Sequence, residues 1–386
     1  MVEGLREDRE AAALRRLFAR YYSSRPVPPP PRFPRREFAF TLFGGQGMVR
    51  HLAFGSASEL SSFLAEKVPR NAYYSTAYYE RPAAPEMGNK GWMGADLVFD
   101  LDADHMGRSG SWEDLLMEVR REAVRLVHEF LLGELGIPKD SLRVVFSGGR
   151  GFHVHVHERE YLRLGPDERR EIVLYVKGKE LDPKRILRGR LPSPGETGWR
   201  GRLARALLRL LEGEKPEGVN GRRWRALRRW LEGEAEAVLP DGSRIRGKRG
   251  EVLRELVMRA GSPEMLRGRE YVLQMAAEMA ASEYGILAAD EPVTTDIHRL
   301  IRLPYSLHGK SGFQVRPVPL GELEEFDPLS DAIVDVFRKE EFEIVGLRRF
   351  SIRLGEEEWG VEEGERVKVP AYVFVFMCGY GAARLA

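Results

Sequence analysis

The stretch Asp96-Leu97-Val98-Phe99-Asp100-Leu101-Asp102-Ala103-Asp104 alternates apolar and acidic residues at the period of a strand. Successive strand side chains point to opposite faces, so Leu97, Phe99 and Leu101 enter a core while Asp100 and Asp102 share the other face. Two ionised carboxylates side by side repel, and a divalent cation bound between them is the usual resolution. Oxygen-only ligands suit Mg²⁺ or Mn²⁺, and a pair of such ions serves phosphoryl transfer. Taken alone, the pattern fits equally an acidic turn at a strand end, or the Asp-x-Asp of a metal-dependent glycosyltransferase.

Working outward, residues 113–132 carry the apolar spacing of an amphipathic helix, and residues 142–146 and 152–157 read as a strand pair around a glycine loop. Upstream, residues 37–43 and 49–54 form a hairpin pattern around Gly44-Gly45-Gln46-Gly47, preceded by a helix over 5–22 and a proline-rich connector over 26–34. This alternation predicts an α/β (α+β) fold. Residues 186–284 read as almost wholly helical, with loops at 192–198, 213–221 and 240–250. Strand signals return at 314–317, 342–345 and 367–376. The expected organisation is a first domain part over 1–180, a mostly helical insertion over 181–284 and a closing part over 285–386.

A chain of 386 residues, 43% hydrophobic and 31% charged, has the composition of a soluble globular protein, which excludes disorder and a membrane protein. The most apolar stretch, 371–378, is too short to span a bilayer, and residues 1–16 lack the apolar run of a signal peptide. The expected location is cytoplasmic. Cys378 is the single cysteine, so neither an intramolecular disulfide nor a zinc site of several cysteines can form. Residues 181–250 hold 18 Lys/Arg against 9 Asp/Glu, a net of +9 in a chain totalling +2, so the remainder carries −7. That segment reads either as a polyanion-binding surface or as the solvated face of a heat-adapted protein.

Two further segments carry chemistry. In Phe146-Ser147-Gly148-Gly149-Arg150-Gly151-Phe152-His153-Val154-His155-Val156-His157, the glycines let backbone N–H groups such as that of Gly148 approach anionic oxygens, and Ser147 and Arg150 add donors. The three histidines lie in line over more than about 12 Å of strand, too far to share one zinc. His153, nearest the loop, is the candidate phosphate ligand, and His155 and His157 are expected to be hydrogen-bonded structural residues. In Arg299-Leu300-Ile301-Arg302-Leu303-Pro304-Tyr305-Ser306-Leu307-His308-Gly309-Lys310-Ser311, a P-loop fails because Pro304 stands where its first glycine belongs. What remains, Arg299, Arg302, His308 and Lys310, suits a triphosphate, or else a solvated basic turn.

These segments, in this order, resemble the archaeo-eukaryotic primase superfamily, and most closely the small catalytic subunit of archaeal primases. The similarity includes Arg36-Glu37-Phe38-Ala39-Phe40, Asn71-Ala72-Tyr73-Tyr74-Ser75 and Gly91-Trp92-Met93-Gly94-Ala95-Asp96, and spans roughly residues 10–320. It implies a catalytic domain with a mixed sheet core, interrupted by a helical insertion. It further implies metal-binding Asp100 and Asp102, with Asp290 a better match than Asp296 for the third carboxylate. Ser147, Arg150, His153, Arg302 and His308 fall on positions that hold the incoming triphosphate. The implied partners are a single-stranded DNA template, NTPs or dNTPs, and a large primase subunit in a heterodimer. The implied cofactor is Mg²⁺ or Mn²⁺. Archaeal members usually carry a Cys/His zinc knuckle after the first motif; here residues 104–112 contain no cysteine, and no zinc is expected. A primer-extending repair or end-joining polymerase of the same superfamily, or a catalytically silent nucleic-acid-binding subunit, is the alternative. Before Pro292, residue 291 is biased to extended backbone, so a strand entry is expected at Asp290; Asp296 is expected to cap a helix start.

Overall fold

The computed structural model describes residues 2–106, 110–187 and 189–386, without the side chains of 2–8, 183 and 184. Gly107, Arg108 and Ser109, in the segment where archaeal primases usually carry a zinc knuckle and none is expected here, lie outside the described residues. The chain forms two compact units: Met1–His128, Ile137–Arg170 and Ala288–Ala386 make one, Glu129–Gly136 and Glu171–Leu287 the other. No helix of the described residues is long and apolar enough to cross a membrane.

The first unit is an α/β structure built on two four-stranded sheets. One runs in the order Leu300–Arg302, Pro69–Ser75, Phe38–Leu42, Val49–Leu52; the other in the order Arg316–Val318, Leu142–Phe146, Gly151–Val156, Leu97–Asp102. The core expected to be mixed is antiparallel in every strand pairing of the described residues. Tight links such as 147–150 turn the chain straight back on itself, which only antiparallel neighbours allow. In the second sheet Phe152, Val154 and Val156 are fully buried, and Phe152 packs on Phe146 with ring centroids 5.5 Å apart. The opposite face carries the histidines. His155 is not hydrogen-bonded as expected: both ring nitrogens are buried without a partner, and the ring stacks on Tyr74 of the first sheet. Burial holds it far below the ordinary histidine pKa, so it packs as a neutral aromatic.

A buried ion pair joins the sheets. Arg36 Nη2 meets Asp96 Oδ2 at 2.5 Å and Tyr78 Oη at 2.6 Å, while Nη1 donates to the carbonyls of Ser75 (2.7 Å) and Thr76 (3.1 Å). Tyr78 donates to the second Asp96 oxygen at 2.7 Å, and Arg169 caps the backbone carbonyls of Asp96 and Ala95 at 2.9 and 2.7 Å. With every guanidinium and carboxylate atom occupied, the desolvation cost of both ions is offset.

Three elements differ from the sequence reading. The apolar run expected as a strand over 367–376 is a strand only over Arg366–Pro370; Ala371–Gly379 is a helix, buried from residue 371 to 377. A run apolar on all sides has no period to distinguish helix from strand, and Pro370 ends the ladder. In the second unit, residues 240–250 are not a loop: Arg244–Lys248 pairs with Glu234–Val238. The Asp241-Gly242 turn, with Gly242 at φ +85°, and cross-strand pairs such as Arg244–Glu236 (3.3 Å) close this hairpin. The helix expected over 113–132 is α-helical over Trp112–Arg125, capped by Ser111 on the Asp114 N–H, and π-helical over Leu126–Glu134. The remainder of the second unit is helical, with Gly198–Glu212 packed on Glu270–Tyr284.

Arg36→Met leaves the Asp96 carboxylate buried and unpaired, and should lower the unfolding free energy by about 3–5 kcal/mol in urea titration. Arg36→Met/Asp96→Asn should recover part of that loss. Arg36 and His157 hold Asp96 well below the ordinary carboxylate range against the opposing effect of burial. Its stabilisation is therefore complete above about pH 4 and is lost as pH falls below that. An acid limb of the same steepness in the double variant would contradict this.

Candidate active site

Asp100 and Asp102 lie on the strand Leu97–Asp102, which pairs on one side with Gly151–Val156 so that His153 stands directly across from Asp100 and Gly151 across from Asp102. Gly151 is needed there, because a Cβ would lie 2.1 Å from the Leu101 carbonyl oxygen. The other edge receives residues 288–290. Asp102 N donates to Ala288 O at 3.0 Å, Asp290 N donates to Asp100 O at 2.8 Å, and Leu101 bridges Ala289 in antiparallel register. That register sets Asp290 opposite Asp100 on the same face. Buried Glu122, from the helix Trp112–Arg125, steers the segment in by accepting the Ala288 N–H at 2.7 Å.

Asp290 meets a strand edge as expected, but a helix begins directly after it, and Asp296 ends that helix where it is expected to cap a helix start. Asp290 precedes the short helix Glu291–Thr295, with Pro292 in its first turn, where a missing N–H costs nothing. Its side chain makes no capping bond, so the carboxylate is left for other work. Asp296 ends that helix, and its Oδ1 accepts the His298 N–H at 2.9 Å in the turn leading to the strand Leu300–Arg302.

The electrostatics follow from this crowding. Burial, then Asp102 and Asp290, push the Asp100 carboxyl up to about 7, against a smaller pull from Arg299 and His105. Asp100 Oδ1 lies 3.5 Å from His153 Nε2, and Asp290 Oδ2 lies 3.5 Å from His105 Nε2. Burial and the neighbouring Arg302 lower His153 to about 3, so it is a neutral imidazole near pH 7. Among the described residues no three His, Cys, Asp or Glu side chains stand ready around one point. The group nonetheless suits a hard divalent cation, since its oxygens are anionic and close enough together to suppress ionisation of one of them.

Next to these carboxylates opens a cavity of about 690 Å³, lined by Asp102 and Asp104 and by Arg70, Arg150, Arg302, His308 and Lys310. Arg302 Nη1 donates to Asn71 Oδ1 at 2.7 Å, and its guanidinium lies 5.3 Å from the Tyr73 ring centroid. Asn71 Oδ1 also accepts the Gly309 N–H at 2.9 Å, so one amide positions both Arg302 and the 309 turn. Arg150 pairs with Asp104 and lies over Trp112, 5.4 Å from its ring centroid. His308 Nδ1 faces the N–H groups of Ser311 (3.2 Å) and Lys310 (3.4 Å), which assigns the ring proton to Nε2, beside Gly149. Burial holds this ring neutral, so it offers a donor without a charge. The glycine loop is clamped to this turn by Ser311 Oγ, which donates to Gly148 O. Ser147 Oγ, itself buried, accepts the Gly149 N–H at 3.3 Å.

Of the residues singled out from sequence, Asp102, Arg150, Arg302, His308 and Lys310 line the cavity. Asp100, Asp290 and His153 form the adjoining strand-edge group, and Ser147 and Gly148 lie in the loop that presents Gly149 to the cavity. Sequence reasoning missed Glu122, Arg70 and Tyr380. Tyr380 follows the C-terminal helix and packs on Trp112 at 4.9 Å; a lone tyrosine carries no signal that it will reach this wall.

A family model described as DNA primase small subunit matches residues 99–320. Among curated relatives, DNA primase small subunit PriS of Methanospirillum hungatei is 39% identical over 384 residues, covering 96% of each chain. That of Methanococcoides burtonii is 36% identical, covering 96% of this chain and 97% of its own, and that of Thermoplasma volcanium 34%, covering 96% of each. The polymerase domain of Mycobacterium tuberculosis ligase D in complex with DNA aligns over 82% of this chain and 83% of its own, with 14% identity and a TM-score of 0.33, too low to establish a shared fold.

Gly148 has φ +78°, and a Cβ there would sit 2.6 Å from His308 Cβ, whereas a Cβ on Gly149 would have its nearest neighbour, His308 Nε2, at 3.4 Å. Gly148→Ala should therefore lower stability by more than about 1 kcal/mol in thermal denaturation, and Gly149→Ala by clearly less. Equal losses would mean that the loop is not clamped against His308.

Proposed function

The chain belongs to the DNA primase small-subunit family, and on that footing we propose that it is the catalytic subunit of a DNA primase that joins NTPs, or dNTPs, into primers on single-stranded DNA. The observation that carries this reading is the strand-edge register that sets Asp290 across from Asp100, beside a cavity rich in cations. Asp100, Asp102 and Asp290 are the ligands for Mg²⁺ or Mn²⁺. With the single cysteine Cys378 remote in sequence from the first motif, zinc has no thiolate set there. When bound, the ions supply Lewis acidity, lowering the pKa of the primer 3′-hydroxyl and shielding the triphosphate.

The chain's own side chains do the rest. Arg302, held by Asn71, grips phosphate oxygens through its planar fork, and Arg150 and Lys310 add charge where the leaving pyrophosphate develops it. His308 Nε2–H, the Ser147 hydroxyl and the Gly148 N–H of the glycine loop supply neutral donors, which bind oxygen without adding to the repulsion among the cations. His153, neutral and 3.5 Å from Asp100, is the further donor to the triphosphate and adds no charge to the group. A large primase subunit is the partner this reading adds.

Asp100 must lose its proton to ligate a cation. Since its pKa is raised to about 7, Mn²⁺ affinity should fall about tenfold for each pH unit below 7. Calorimetric titration without nucleotide measures this, and an affinity unchanged from about pH 5 to 7 would refute Asp100 as a ligand.

The decisive assay incubates the chain with unprimed single-stranded DNA, labelled nucleotides and Mg²⁺ or Mn²⁺. Asp290→Ala should abolish product, whereas Asp296→Ala, which loses one turn hydrogen bond, should cost about 1 kcal/mol of stability and keep most activity. An active Asp290→Ala beside an inactive, stable Asp296→Ala would move the third-carboxylate role. Wild-type protein that only extends annealed ends would be a primer-extending polymerase.

A further inference from the structure

We propose that the helix Gly221–Leu231 presents an arginine stripe that binds the phosphates of single-stranded nucleic acid, through residues none of which lines the catalytic cavity. The inference rests on the reading that this protein works on single-stranded DNA, and it adds a second contact for that strand.

Asn220 caps the helix by accepting the Arg222 N–H at 2.7 Å, and Leu227 and Leu231 are its buried residues. At about 100° per residue, Arg222, Arg225 and Arg229 fall together on the side away from those leucines, in the i, i+3, i+7 spacing of one helix face. All three are exposed, as is Arg223 on the flank. The helix contains five arginines and no acidic residue. Like charges at this spacing destabilise a helix, so the arrangement runs against local stability.

The ordinary explanation for an arginine-rich face is a solvated surface in which acids and bases alternate. That explanation fits eight of the thirteen described arginines of this unit outside the helix, Arg246 and Arg267 being among the others and making no side-chain hydrogen bond or ion pair. Arg200 pairs with Glu196 at 2.5 Å, Arg202 with Glu134 at 2.5 Å, Arg259 with Asp241 at 3.1 Å, and Arg209 with Glu214 and Glu283. It does not fit this helix. Arg222, Arg223, Arg225 and Arg229 make no side-chain hydrogen bond or ion pair with any described residue, whereas Arg228, one position from Arg229, reaches the Leu211 carbonyl at 3.4 Å. An unpaired stripe of planar cations is complementary to a regularly spaced polyanion. Seven residues of helix rise about 10 Å, which spans two or three phosphates at roughly 3.4 Å or more per nucleotide. Trp230 is already covered by Arg249 and Arg269, with centroid distances of 4.9 and 5.5 Å, so stacking on it is not offered to a base. Binding here should be driven by phosphate charge and indifferent to sequence.

The test measures fluorescence anisotropy of a labelled mixed-sequence single-stranded oligonucleotide with the full chain, without metal or nucleotide. Arg222→Gln/Arg225→Gln/Arg229→Gln should raise the Kd at least tenfold at low salt and flatten the slope of log K against log salt by about 2, since each phosphate no longer neutralised removes about 0.7. Its melting temperature should not fall, because like-charge repulsion is relieved. Arg254→Gln, which removes an arginine paired with Glu212, should change Kd by less than about twofold and serves as the charge control. Single Arg225→Gln should weaken binding in the same direction if the triple variant loses its fold. An unchanged Kd and slope in the triple variant would overturn the proposal, leave an acidic protein surface as the occupant, and leave the primase reading intact. Wild-type chain that neither binds the oligonucleotide nor makes product would overturn both.

Discussion

The contact on which the first unit depends is the buried pair of Arg36 and Asp96. Arg36 precedes the strand Phe38–Leu42 of one sheet and bonds the carbonyls of Ser75 and Thr76 at the end of its neighbour, while Asp96 immediately precedes the aspartate strand of the other sheet. The guanidinium therefore fixes where the aspartate strand begins relative to the sheet across from it. Slippage by one residue would send Asp100 and Asp102 into the apolar face and Phe99 and Leu101 out of it. A buried pair of this kind is weak evidence for net stability but specifies one arrangement strongly, since any other leaves a charge buried alone.

From that fixed start, the site arises by accumulation of like charge on one side and opposite charge on the other. The aspartate strand has a free edge, and the segment carrying Asp290 takes its backbone hydrogen bonds. The ladder that satisfies those N–H and C=O groups is also what holds two carboxylates across from each other, so folding drives together groups that electrostatics would separate. Burial first, and then this repulsion, raise the pKa of Asp100. The cationic half is arranged differently: the neutral amide of Asn71 holds Arg302, Asp104 and the Trp112 ring hold Arg150, and burial keeps His308 uncharged.

The second unit distributes its charge by a different rule. Outside the helix Gly221–Leu231, eight of its thirteen described arginines end on carboxylates, and that helix departs from the pattern by carrying bases alone. Its amphipathic leucines dock it while the arginines remain outward, so a face with a net of several charges persists without disturbing the packing beneath.

Local chemistry was legible in the chain itself. The alternation from Leu97 to Asp102, the Ser147 to His153 loop and the cations from Arg299 to Lys310 are each encoded within about a dozen residues, because strand period and turn chemistry are short-range properties. What the tertiary structure decided were the matters that depend on distant partners. The run 371–377 became a helix because it is buried on all sides, and no residue period records that. Asp290 and Asp296, six positions apart and alike in composition, are separated in role by which of them meets the edge of the strand Leu97–Asp102 and which folds onto its own turn. His155 exchanged its expected hydrogen bonds for a stack on Tyr74, and Glu122, Arg70 and Tyr380 reached the site from elements whose sequences give no sign of it. The physical reason is the same in each case: a residue's own neighbours along the chain set its backbone, whereas its charge state and partners are set by whatever other segments close against it.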